Sequence, residues 1–171
     1  MSALPVGSPA AASLSDRTAI EAFLVREATL LDDREFEQWR DLFDEDGWYW
    51  VPLNAAHTDP GAHAALFYDD RKMMQTRIDR LRHPRIHAQT PPHRTCRQVG
   101  NVTIVESDAA AGECTVRSTL FLADYRVHMQ RTFAAHVRHR LRATPQGLRI
   151  AWKRVDLINA DDVHELIAIP F

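Results

Sequence analysis

Over residues 99–158 apolar and polar side chains alternate, whereas in residues 20–31, 36–43 and 73–81 the apolar ones return every three or four positions. A period of two fits strands with one buried face, and a period near 3.6 fits helices with one buried stripe. Helices first and antiparallel hairpins afterward argue for an α+β domain in which three helices pack on one curved sheet. With 171 residues, 45% of them hydrophobic and 26% charged, the chain can bury one sizeable core. Residues 1–15 open with small, proline-punctuated sequence and are expected to form a flexible arm, leaving residues 16–171 as a single domain.

The first helix carries Ile20, Phe23, Leu24, Leu30 and Leu31 on one stripe, with Ser15 as its candidate cap. Asp33 is placed to cap a second helix that buries Phe36, Trp39, Leu42 and Phe43, and Asp44-Glu45-Asp46-Gly47 ends it. Trp48, Tyr49 and Trp50 then begin a strand that Pro52 keeps at an edge or an end. Residues 54–66 read as a loop. The spacing predicts a third helix from Asp69-Asp70 to about Leu81, with Met73, Met74, Ile78 and Leu81 inward. Arg77, Arg80 and Arg82 lie toward its end, where the helix dipole favours cations, and His83-Pro84 stops it. In the second half Gly100-Asn101 marks a bulge, since glycine accepts positive φ. Residues 125–141 read as one long strand with Tyr125, Val127, Met129, Phe133, Ala135, Val137 and Leu141 on its core face. Thr144-Pro145-Gln146-Gly147 turns the chain into a last strand.

The net charge of −2 gives no electrostatic case for nucleic acid or an anionic membrane. No apolar run approaches the ~20 residues of a membrane span, and the start has no basic, then apolar, secretion pattern. The expected location is cytoplasmic, with Cys96 and Cys114 reduced. Nine histidines invite a metal, but Pro84 breaks the His83/His87 pair, and His128 and His136 stand eight residues apart along one strand. Neither cysteine sits in a Cys-x-His or Cys-x-x-His motif, so the ligand set of a Rieske cluster is missing. Phosphate-cradling glycine motifs and the nucleophile elbow are absent too. Asp124 and Asp156 are the acids that a sheet-lined cavity could turn into a general base, with Lys153 and Arg154 near enough to pair with Asp156.

Four ordered blocks carry a resemblance. Leu-Leu-Asp-Asp-Arg-Glu-Phe-Glu-Gln-Trp-Arg-Asp-Leu-Phe from Leu30 resembles the small, or β, subunit of bacterial aromatic-ring-hydroxylating dioxygenases. Phe67-Tyr68-Asp69-Asp70-Arg71-Lys72-Met73-Met74 is similar to that family's Tyr-Asp-Asp-Arg helix. Pro91-Pro92-His93-Arg94-Thr95 with Val99-Gly100-Asn101-Val102, and Gly147-Leu148-Arg149-Ile150-Ala151-Trp152-Lys153 with the tail to Phe171, resemble its later segments. The chain departs from the family pattern at Thr90, His93 and Gln98. The resemblance implies the curved α+β cone of scytalone dehydratase, ketosteroid isomerase and nuclear transport factor 2-like proteins. It also implies a non-catalytic chain in a hexamer of three large (α) and three small subunits. The large subunit would carry the Rieske [2Fe-2S] cluster, the mononuclear Fe(II) and the substrate pocket. A reductase, with or without a ferredoxin, would deliver electrons from NAD(P)H for cis-dihydroxylation of an arene.

Trp48, Tyr49 and Trp50 alternate across a strand, so one face lies away from whatever core the other joins; outward rings would anchor a partner, inward ones the domain itself. Arg71, Lys72, His93 and Arg94 are the other candidates for subunit contact. The competing reading is a stand-alone cone-fold dehydratase, isomerase or cyclase that uses Tyr49, Tyr68, His87, Asp124 or Asp156 inside the cone.

Overall fold

The computed structural model describes residues 14–83, 90–162 and 167–171. Most of the expected arm, and His87, lie outside the described residues. Helix α1 (Arg17–Asp32) is capped by Asp16, whose carboxylate accepts from the Thr18 and Ala19 N–H groups; the cap falls one residue after Ser15. Its buried stripe runs through Ile20, Phe23, Leu24, Ala28 and Leu31, and it also includes an acid, Glu27. Asp33 closes this helix and does not open the next one, because its N–H still bonds to Thr29 O at 2.8 Å. Arg34, at φ 61°, then turns the chain into α2 (Phe36–Arg40).

The second helix is shorter than its periodicity predicts. Strand β1 (Phe43–Pro52) already begins at Phe43, so the acidic stretch lies within a strand and terminates no helix. The added residues are absorbed by a register shift between Phe43 and Trp48 opposite β6 (Gly147–Leu157). Gly47 permits this approach, since a Cβ there would stand 2.8 Å from Ile150 O. Strand β1 is interior to the sheet, and Pro52 is tolerated because it is the last residue. Strand β2 (Ala65–Asp70) takes the end of the expected loop and both aspartates of the expected helix start. Asp70 instead caps α3 (Arg71–Arg82), accepting from Met73 N–H at 2.7 Å. Met74 and Ile78 are buried on α3, whereas Met73, expected inward, is exposed.

The remaining strands are β3 (Arg94–Asp108), β4 (Glu113–Arg126) and β5 (Met129–Thr144). The run expected as one strand over residues 125–141 is split by a two-residue turn in which Val127 and His128 both take positive φ, 49° and 65°. This is the primed hairpin geometry, normally signalled by Asn-Gly, and a β-branched valine hides it. The predicted bulge in β3 is present between Gly100 and Thr103, but Asn101 carries the positive φ, 52°.

The sheet order is β2-β1-β6-β5-β4-β3, with β1 parallel to β6 and every other neighbour antiparallel. Bulges in β3 and register shifts in the β1–β2, β1–β6 and β5–β6 ladders bend the strands. Helix α1 packs against β3, and α3 against β1 and β2, with their buried stripes in one core cluster with the sheet. Asp32, at the end of α1, fastens that layer to β3 by accepting from Thr95 Oγ1 and the Arg97 N–H, both at 2.8 Å, and from the Arg97 guanidinium. Replacing Gly47 with alanine is expected to cost about 1–3 kcal/mol through the forced separation of β1 from β6. Urea denaturation checks this, and an unchanged midpoint would contradict it.

Candidate functional site

Strand alternation gives the sheet two chemically different faces. Inward, Tyr49, Phe67, Phe133 and Phe171 join Trp39 and Phe43 in a run of ring contacts with centroids 5.3–6.2 Å apart. Tyr49 is 1% exposed; its hydroxyl accepts from the Phe171 N–H at 2.9 Å, and burial pushes its phenol pKa up.

Beside these rings lies a buried ionic network. Glu27 on α1 accepts from Lys153 Nζ at 2.7 Å, His139 Nε2 at 2.9 Å and Trp39 Nε1 at 3.2 Å. Lys153 Nζ also donates to Phe171 O at 2.7 Å. Residues 139 and 153 are directly opposite on β5 and β6, so the pleat presents both to the same carboxylate. Burial alone would raise the Glu27 pKa, but attraction and hydrogen bonds from Lys153 and His139 override it and hold the carboxyl well below its ordinary range. Burial lowers His139, helped by the Lys153 charge, and thereby favours the neutral ring that donates from Nε2. Two cavities among the described residues, one against His139 and Arg97 and the other against Asp69 and Arg77, each hold about 20 Å³. That is room for about one water, whereas ligand pockets run to ~300–1,000 Å³.

Among the described residues, those expected for a cone enzyme, Tyr49, Tyr68, Asp124 and Asp156, do not converge. Asp124 is gripped by His93 Nδ1 and Arg131, each at 2.6 Å. Asp156 and Tyr68 lie on the other face of the sheet, where Arg154 pairs with Asp156 at 2.7 Å. Lys153, expected near Asp156, points inward to Glu27 instead, because neighbours along a strand project to opposite faces.

Among the seven contact candidates the structure separates core from surface. Tyr49 and His93 are buried inside this chain's own interior, which corrects their expected placement as contact residues. Trp48 and Trp50 are on the outer face: Trp48 is half-buried and stacked on Trp152 at 5.5 Å, and Trp50 is buried beneath Arg154 at 4.4 Å. Arg71 is spent internally on Asp41 and Phe43 O. Lys72 and Arg94 are exposed, and Arg94 covers the Tyr125 ring at 4.7 Å. Sequence reading missed Glu27, His139 and Lys153 as a unit; an acid on an apolar helix stripe was the available signal. Cys96 and Cys114 are free and lie toward opposite ends of the β3–β4 ladder, opposite Ala123 and Ser107. Among the described residues no group of three or more His, Cys, Asp or Glu could hold a metal ion.

The architecture is a cone of the nuclear transport factor 2-like type. An NTF2-like protein from Novosphingobium aromaticivorans superposes at a TM-score of 0.59 with 21% identity, covering 85% of this chain and 84% of that one. The family described as ring hydroxylating beta subunit matches residues 26–161, and the chain belongs to it. It is 34% identical to the small subunit of 2-halobenzoate 1,2-dioxygenase from Burkholderia cepacia, covering 88% of this chain and 92% of that one. The crystal structure of the β subunit of benzoate 1,2-dioxygenase from Burkholderia mallei superposes at a TM-score of 0.72 with 27% identity, covering 87% and 95%.

Glu27→Gln leaves a buried ammonium without its counterion and is expected to cost about 3–5 kcal/mol, whereas Glu27→Leu with Lys153→Met costs less than that single change. Acid acts in one direction on this network. Glu27, lowered by its partners, gives stability that is complete above its ordinary value of 4.5 and is lost as pH falls through the folded value. His139 is also lowered, so below its ordinary value of 6.5 the unfolded chain takes up the proton first and stability falls. The denaturation midpoint therefore drops between about pH 7.5 and about pH 5.5, and the drop is smaller in His139→Gln. Equal drops in both proteins would remove His139 from the account.

Proposed function

We propose that this chain is the non-catalytic small subunit of an aromatic-ring-hydroxylating dioxygenase, holding a large subunit that dihydroxylates an arene. The observation that carries this reading is the filling of the interior among the described residues: aromatic rings and the Glu27–Lys153–His139 network stand where a cone-fold enzyme would keep its substrate. The stand-alone dehydratase, isomerase or cyclase loses support because Tyr49, Asp124 and Asp156 each spend their polar atoms on separate internal partners.

The assembly is three large and three small subunits in the cytoplasm. The large subunit holds the Rieske cluster and the mononuclear iron, and a reductase, with or without a ferredoxin, brings electrons from NAD(P)H. The donor chemistry of this chain fits a supporting role, since its two thiols are too far apart along one ladder to share a cluster. Trp48, Lys72 and Arg94 remain candidate contacts with the assembly, whereas Trp50 is buried beneath Arg154. Co-expression with the large-subunit gene product, followed by sizing with light scattering, is expected to yield a mixed hexamer. A well-folded small chain that never joins the large one would overturn the reading.

A further inference from the structure

The outer face of β4, β5 and β6 carries an arrangement that the isolated chain leaves unbalanced. Arg117 on β4 stands directly opposite Arg138 on β5, and Arg138 stands directly opposite Arg154 on β6. Their strand neighbours, Val116, Ser118, Val137, His139, Lys153 and Val155, are buried inward, so all three guanidiniums project from the same outer surface. Like charges directly opposite on a sheet destabilise the pairing. Arg154 is compensated by Asp156 and by the carbonyls of Ala55 and His57. Arg140, next on this face, is compensated by Glu106, Glu113 and Thr115. Arg117 and Arg138 are exposed and have no ion pair or hydrogen bond among the described residues.

These two arginines line an open groove of about 440 Å³ with Val105, Glu106, Thr115, Arg140 and Trp152; Glu106, the one acid of the lining, is paired with Arg140 at 3.4 Å. Trp152 is parallel to Trp48 with ring planes 13° apart, and Tyr68, 52% exposed, meets the edge of Trp48. An aromatic ledge therefore borders a pair of uncompensated guanidiniums. Arginine and aromatic residues are the types enriched at protein interfaces, and a guanidinium fork matches a carboxylate bidentately. A two-fold pairing of this face with a second copy would set Arg117 and Arg138 against the same charges, which counts against a two-fold contact between small subunits here.

We infer that the outer face of β4–β6, centred on Arg117 and Arg138, docks a carboxylate-bearing segment of the large subunit, with Trp152 and Trp48 receiving its apolar side chains. The inference rests on the small-subunit reading and adds to it the face used and the chemistry of the partner segment.

The test uses the full chain with its large subunit. Wild type, Arg117→Gln/Arg138→Gln and Arg117→Glu/Arg138→Glu are purified, checked for fold by circular dichroism and thermal melting, and titrated against the large subunit at about 0.05 M and about 0.5 M NaCl. All three small chains are expected to fold: the glutamine changes relieve a like-charge pair, and the glutamate changes exchange one exposed like-charge pair for another. Affinity falls about tenfold in the glutamine variant and about 100-fold or more in the glutamate variant, and salt weakens wild type more than the glutamine variant. Wild-type affinity in a folded glutamate variant overturns this docking face while leaving the subunit reading intact. Loss of self-association with unchanged large-subunit affinity assigns the face to a second copy and overturns it as well. Failure of wild type to bind the large subunit overturns the small-subunit reading and this inference together.

Discussion

Glu27 is the point at which the helical layer and the sheet become one body. It projects from the apolar stripe of α1 into a space that burial makes hostile to charge, and only its two sheet-borne partners make ionisation favourable there. Because His139 and Lys153 are opposite one another on antiparallel strands, a single carboxylate reads the β5–β6 register. A slip of one residue would turn both partners to the outer face and strand the acid. Lys153 also binds Phe171 O, and Phe171 N–H in turn reaches Tyr49, so the same network fixes the tail and β1. Buried ion pairs add little net stability, since desolvation cancels most of the Coulomb gain. What this one supplies is a unique fit between helix, sheet and tail.

The fold class was legible because two periods, one near 3.6 and one of two, occupy different halves of the chain. The helix stripes of α1 and α3 and the bulge after Gly100 followed from the same kind of pattern. Failures came where neighbouring strands outweighed local signals. Phe36, Trp39, Leu42 and Phe43 keep helical spacing, yet pairing with β6 draws Phe43 into β1. Val127-His128 has no turn composition, and the hairpin is imposed by the ladder on both sides. Residues 69 and 70 read as a helix start, and in fact both belong to β2, whose last residue, Asp70, caps the helix that follows. The inner network was out of reach for a different reason: Glu27, His139 and Lys153 are separated by more than a hundred residues from first to second, and no local spacing encodes that meeting.

Alternation along the strands explains how a cone that resembles those of cavity enzymes can serve as a scaffold. Each strand must place one set of residues inside and the other outside, so the chemistry of the two faces can change independently. Here the inward set is largely spent among the described residues: Glu27, Lys153 and His139 bond to one another, the aromatic rings pack against each other, and the two cavities beside them are the size of a water molecule. The outward set is the reverse, with Arg117 and Arg138 confronting one another beside stacked tryptophans. An interior packed in this way keeps the curvature of the sheet fixed, and fixed curvature holds the outer side chains in constant relative positions. Fold alone assigns neither role; the assignment comes from which face has finished its bonding and which has not.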